Sequence, residues 1–444
     1  MENEETLRAA VIAQSEEEFD SAIELRRDLH ANPELGWTEF RTASRAAATL
    51  DAVGWEVRTG ADVCVQDGRM GVPAASELAS AWESALANGG HPGWMEPMRN
   101  GLTGVVAELR GSRPGPTVAM RFDMDALPIL EAGDDGHRPA REGFISQRPG
   151  VMHACGHDAH TAIGVSVARI LARLRDQIHG TIQIILQPAE EGTRGAAAMV
   201  AAGVLDQADY FLCPHVGATS EMTGEIIPGV SGFLATTKLD AWYYGKAAHA
   251  GLAPEAGLNA MLGAAQAALG LHALSRHSAG NSRVNVGVLQ AGTGRNIIPA
   301  EAHLKLELRG EVSEVTEYLD EQALRVLAGA ASMWGLEHRV ERAGAAPGAA
   351  SDDELIEVLR ALAATLPSVT HVGNPTFAGA SDDATAMMRR VQERGGKAAY
   401  VIVGTELAAG HHNERFDISE QCLLPGIQLF TLAALQLTGS LPHS

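Results

Sequence analysis

Apolar positions recur at helical spacing through residues 5–30, which predicts one long helix at the start of the chain. GWEVRTG (54–60) reads as a strand and turn. Residues 61–101 change character: they are rich in Ala, Ser, Gly and Trp, and ASELASAWESALANGG within them predicts a helix stopped by glycines. From residue 102 onward strands and helices alternate. TVAMRFDMD (117–125), GTIQIILQ (180–187), DYFLCPH (209–215) and AAYVIVG (398–404) read as strands, with helices over about 159–175 and 194–205. That alternation predicts an α/β fold, a mixed but mostly parallel sheet with helices on both faces.

The middle of the chain follows another rhythm. FLATTKLDAWYYGKA (233–247) alternates like a strand with one exposed face, and a helix of about 20 residues is expected after Pro254. SRVNVGVLQAG (282–292) and AEAHLKLELRG (300–310) are strands, and SEVTEYLDEQALRVLAGAASMWG (313–335) is a helix. The order strand–helix–strand–strand–helix–strand suits a small α+β, ferredoxin-like domain inserted in the larger one.

At 444 residues the chain is too long for one core, in keeping with two domains. The net charge of −21 disfavours nucleic acid as a partner. No apolar run approaches the roughly 18 residues of a membrane span. The acidic opening MENEETLRAAVIAQSEEEFD lacks the features of a signal peptide. Cys64, Cys155, Cys213 and Cys422 are scattered, so a cytoplasmic chain with reduced thiols is expected. No strand leads into GxGxxG and no GxxxxGK[ST] occurs, which argues against a nucleotide-binding fold.

Candidate chemistry gathers just beyond the predicted strands. HACGHDAH (153–160) places Cys155 and His157 before a helix that Asp158 could cap. Glu190 and Glu191 follow the strand ending near Gln187, His215 ends DYFLCPH, His411 and His412 follow AAYVIVG, and Asp123 and Asp125 close TVAMRFDMD. Sites in open α/β sheets form at the carboxyl ends of strands, so these groups are expected to converge. Thiolate, imidazole and carboxylate together suit a divalent transition ion. A neighbouring free carboxylate is what metal-assisted hydrolysis requires. His137, His272 and His277 lack such a context and are left as core or surface residues; His153 and His160 are left in supporting or structural roles.

RRDLHANPELGWTEFRTA (26–43), MRFDMDALPI, MHACGHDAHTA, QPAEEGTRGA, GKAAHAGLAPEAGLNA and GRNIIPAEA occur in the order found in the M20 metallopeptidase family. The chain resembles its amidohydrolase branch, which cleaves N-acyl amino acids, over roughly residues 20–436. The resemblance implies two divalent metal ions, zinc or manganese, held by Cys155 as a bridging ligand with His157, Glu191, His215 and His412. His411 remains an alternative to His412, because the stretch HHNERF lacks the proline that relatives often carry after the pair. Glu190 would be the general base, with Asp125 orienting the site from behind the ligands.

By the same resemblance, residues 1–227 and 346–444 would form the catalytic domain and 228–345 a lid that mediates dimerisation. His249 would reach a neighbouring active site and stabilise the oxyanion. Asn296 would contact substrate. Arg194, Arg295 and the 61–101 insertion point to a narrower subgroup, the hydrolases of p-aminobenzoyl-glutamate. Its two carboxylates suit arginine. A homodimer, or a heterodimer with a related second subunit, is then expected. Another N-acyl amino acid or a dipeptide as substrate, and a non-catalytic metal-binding relative, are the competing expectations.

Overall fold

The computed structural model describes residues 2–441. The chain divides into two compact units, one made of Gly232–Gly348 with Gly379–Asp382 and the other of the remainder.

The larger unit is built on an eight-stranded sheet. Across it run Glu56–Thr59, Val105–Arg110, His179–Gln187, Arg113–Asp123, Tyr210–Val216, Lys397–Val403, Glu225–Ile227 and His371–Val372. The four consecutive strands from His179–Gln187 to Lys397–Val403 are parallel, so their carboxyl ends share one edge. Alternation along Arg113–Asp123 sorts its side chains. Val118, Met120 and Phe122 join the core beneath the helices His157–Arg173 and Leu423–Leu437, while Arg121 points the other way, to Asp383. Gly164 lets the helix His157–Arg173 close onto Phe122, because a Cβ there would lie 2.6 Å from the ring.

The smaller unit is a four-stranded antiparallel sheet in the order Glu337–Ala346, Ala235–Tyr244, Glu301–Gly310, Ser282–Ala291. Leu239, Ala241 and Tyr243 face Leu304, Leu306 and Leu308 in a second core closed by the helices Ala260–His272 and Ser313–Met333. Its element order is the ferredoxin-like one.

Several elements differ from the periodicity. The helix expected after Pro254 starts only at Ala260 and has 13 residues, because the Asn259 side chain caps Met261 and Leu262. The helix expected over 194–205 shrinks to Ala196–Ala201, since the Asp383 carboxylate takes the Gly195 and Ala196 N–H groups at 2.9 Å each. The strand expected at 117–125 runs Arg113–Asp123, leaving Asp125 in the loop beyond. Leu423–Leu437 is apolar and buried nearly all round, so it shows no amphipathic stripe. Among the described residues no helix is long and apolar enough to cross a membrane.

Candidate metal centre

The parallel strands deliver most of the candidate groups to one edge. Asp123 ends one strand, the Glu190–Glu191 turn follows the next, His215 lies near the end of a third, and His412 follows Lys397–Val403. Cys155 and His157 arrive from the loop and first turn of the helix His157–Arg173.

Two groups of ligand atoms share Cys155. Cys155, His157 and His215 offer atoms within 4.8 Å of one another, and Cys155, Glu191 and His412 do the same. Cys155 Sγ lies 3.6 Å from His215 Nε2, and His412 Nε2 lies 3.5 Å from Glu191 Oε1. This is the arrangement two ions bridged by one thiolate would need.

Hydrogen bonds fix which nitrogens are free to ligate. His215 Nδ1 donates to the Val216 carbonyl at 2.8 Å, which leaves the lone pair on Nε2, toward Cys155. His157 Nδ1 lies 3.3 Å from Asp125 Oδ1 without making a hydrogen bond, and its buried Nε2 has no hydrogen-bond partner either. Glu191 Oε1 is also buried without one. Orphaned buried polar atoms are costly. A divalent ion would satisfy both, so the donor set fits a metal.

His160 is different. Its Nδ1 donates to Asp123 at 2.5 Å and its Nε2 accepts from the Val216 amide at 2.9 Å, so neither nitrogen is available. The terminal histidine pair also divides. His411 Nε2 accepts from the Ala218 amide at 2.9 Å, whereas His412, in the left-handed region at φ 63°, turns toward Cys155 and Glu191.

The electrostatics of the protein without metal follow from this packing. Withdrawal from water, reinforced by Glu191, pushes the Cys155 thiol up. Burial would lower His157, but Asp123, Asp125 and Cys155 outweigh it and hold it well above the usual value. Burial beside His160 and His411 holds His215 well below. Metal binding must therefore displace protons from Cys155 and His157.

Asp125 joins the two sides of the site. Its Oδ1 and Oδ2 accept from the Glu190 and Glu191 amides at 3.0 and 2.9 Å, and the same carboxylate faces His157. Glu190 Oε2 lies 3.9 Å from His157 Nε2. Arg194 donates through Nε to the Glu191 carbonyl at 2.7 Å and through Nη1 to the Gly71 carbonyl at 3.2 Å. In the smaller unit, His249 and Asn296 are adjacent: the Ala250 amide donates to the Asn296 carbonyl, and His249 pairs with Ile297. His249 Nδ1 accepts from the Gly251 and Leu252 amides, so Nε2 carries the proton; Arg295 and Asn296 are exposed beside it.

Residues 119–436 match the family model for peptidase family M20/M25/M40. The chain belongs to that family. It is 50% identical over 411 residues to indole-3-acetyl-aspartic acid hydrolase of Enterobacter agglomerans, covering 92% of this chain and 94% of that one. It is 47% identical to one of the subunits of p-aminobenzoyl-glutamate hydrolase of Escherichia coli K12, with the same coverage. The aminobenzoyl-glutamate utilization protein of Klebsiella pneumoniae, a solved structure, superposes with a TM-score of 0.83 at 43% identity, covering 95% of this chain and 97% of that one. This M20-family chain is a metal-dependent amidohydrolase.

Three supporting residues of the M20 site are given no role by the motifs, although Glu39 lies within RRDLHANPELGWTEFRTA and Arg121 within MRFDMDALPI. Glu39, fully buried, accepts from the Ala189 amide at 2.8 Å and from Thr103 Oγ1 at 2.6 Å, and so holds the turn before Glu190. Asp383 holds its far side through Gly195 and Ala196. Arg121 bonds Asp123 at 2.7 Å and Gln187 at 2.8 Å. For Arg121 the sequence offers a further hint, a charge in the middle of an apolar strand.

Proposed function

We propose that this chain hydrolyses the amide bond between an aromatic acyl group and an acidic amino acid, with p-aminobenzoyl-glutamate as the foremost substrate and p-aminobenzoate and glutamate as products. The observation that carries the hydrolytic part is Glu190, a carboxylate beside the shared Cys155 cluster. The names of the similar proteins support the substrate class: both joined partners, glutamate and aspartate, are dicarboxylic amino acids. The 50% identity to the hydrolase of indole-3-acetyl-aspartic acid favours that conjugate as the second reading.

Cys155, His157, His215, Glu191 and His412 would hold two divalent ions, zinc or manganese. Such ions, when bound, acidify water and polarise a carbonyl. Glu190 takes the proton from the attacking water and passes it to the departing amide nitrogen. Asp125 keeps Glu190 and Glu191 in place through their amides. The smaller unit serves as the lid and dimerisation domain, in which His249, with its proton on Nε2, stabilises the oxyanion of a neighbouring site. Arg295 and Asn296 bind the amino-acid end of the substrate. The partner is a second copy or a related second chain; the Escherichia coli relative, named as one subunit of its hydrolase, supports the latter.

The test is metal analysis of the purified protein followed by a panel of p-aminobenzoyl-glutamate, indole-3-acetyl-aspartate, hippurate and N-acetyl amino acids. The expected result is two ions per chain and the largest kcat/KM on p-aminobenzoyl-glutamate. Efficient cleavage of another conjugate without release of p-aminobenzoate would overturn the substrate.

A further inference from the structure

We propose that Arg194 is a positioning residue that ties the turn carrying Glu190 and Glu191 to the 61–101 segment, so that this segment governs turnover. The sequence alone casts Arg194 as a reader of substrate carboxylate. Its guanidinium instead spans two backbone carbonyls, of Glu191 and of Gly71. The turn it clamps is conformationally demanding. Ala189 and Thr193 sit in the left-handed region at φ 51° and 60°, with Gly192 at 90° between them. Such a turn persists only where its surroundings hold it.

The 61–101 segment meets the turn at more than one point. Trp37, fully buried and at φ 68°, donates from Nε1 to the Met70 carbonyl at 2.8 Å, next to the carbonyl Arg194 holds. Arg69 lies over the Trp37 ring at 5.5 Å. The Val65 amide donates to the Ala198 carbonyl at 3.0 Å. Trp37, Cys64, Leu102, Ala189 and Ala198 form one buried apolar cluster beneath these bonds. Gly36 makes room for the clamp, since a Cβ there would come within 2.5 Å of Arg194 Nη2. The segment is therefore wired to both the approach to Glu190 and the exit from Glu191.

This inference rests on Glu190 acting as the base. Arg194→Gln, Arg194→Lys and Trp37→Phe are compared with the wild type, all metal-loaded. kcat and KM are measured on p-aminobenzoyl-glutamate and on p-aminobenzoyl-alanine. Amide exchange is followed in peptides covering 64–72 and 188–194. Arg194→Gln is expected to lower kcat about tenfold or more on both substrates, with KM moving less than about threefold. Arg194→Lys restores part of the loss, and Trp37→Phe gives a smaller loss in the same direction. Both peptides exchange faster in Arg194→Gln and in Trp37→Phe, with metal content retained. Unchanged exchange in those two variants overturns the clamp. So does an Arg194→Gln effect confined to KM for the glutamate conjugate, which would return Arg194 to carboxylate binding. A wild type that cleaves neither substrate refutes the functional reading, and the exchange data still decide the clamp.

Discussion

The two walls of the candidate centre are built in contrasting ways. The wall carrying Cys155 and His157 leads into a helix, and the residues around it are locked by buried ion pairs. Asp158, one residue past His157, meets Arg26 at 2.8 Å and His30 at 2.8 Å. Arg26 and Arg138 reach onward to Asp417 and Glu420. The wall carrying Glu190 and Glu191 has no regular structure of its own. Its turn, with left-handed residues at Ala189, Gly192 and Thr193, is held by bonds from Glu39, Asp125, Arg194 and Asp383. A helix start and the ion pairs behind it position the first wall, and distant side chains acting on a turn position the second. In the proposed function the first wall would supply two metal ligands, Cys155 and His157, and the second one ligand, Glu191, together with the base, Glu190.

The contrast breaks most sharply at Glu190. Glu190→Gln keeps the side-chain volume and the amide bond to Asp125, so both walls should stay intact. Turnover should fall about 10³-fold or more, the upper range for loss of a general base, with two ions still bound by metal analysis. Near-normal activity would remove Glu190 from that role. Cys155→Ala attacks the other wall. Here metal stoichiometry should fall together with rate, because the thiolate is shared by both donor groups. Unchanged stoichiometry would argue against ligation.

Asp125 is where the comparison can be sharpened, because it touches both walls. Asp125→Asn should weaken metal affinity about 10–100-fold, as loss of a carboxylate behind a ligating histidine does, measured by titration with a competing chelator. It should also lower kcat after metal saturation, since one of the two amides it holds loses its acceptor. An effect that vanishes at saturating metal would confine Asp125 to the His157 side.

The same contrast explains what could be read from the sequence. Strand ends were visible in the hydrophobic pattern, and the general behaviour of α/β sheets turned Cys155, His157, Glu190, Glu191, His215 and the terminal histidine pair into one expected cluster. Spacing could not choose between His411 and His412. Their faces differ through the left-handed φ of His412 and the Ala218 amide that engages His411, both properties of the folded backbone. Glu39 and Asp383 lie 150 and 188 residues from the amides of Ala189 and Gly195 that they hold. Glu39 lies in a block the sequence singles out, but no local pattern marks which amides these two carboxylates hold. Arg194 was visible as a residue, and an arginine near a site suggests an anion; its bonds to the Glu191 and Gly71 carbonyls appear only in the folded backbone.

The smallest expected effect isolates the borrowed wall alone. Burial, with the Asp125 charge nearby, pushes the Glu39 carboxyl up from 4.5 to about 8. The folded state thus keeps the Glu39 proton over a range in which the unfolded chain has already released it. Stability from this group is fully present below about pH 4.5, declines as pH rises, and is lost by about pH 8. Glu39→Gln removes that slope while preserving the geometry: its Oε1 can still accept from Ala189, and its amide can donate to Thr103 Oγ1. The variant should gain about 1–3 °C in Tm over the wild type at pH 8 and little at pH 5, measured by thermal unfolding of metal-loaded protein. An equal shift at both values would mean that Glu39 does not titrate in this range. A variant that gained this stability but lost turnover would show that the amide does not reproduce the way the Glu39 carboxyl holds the turn on which Glu190 stands.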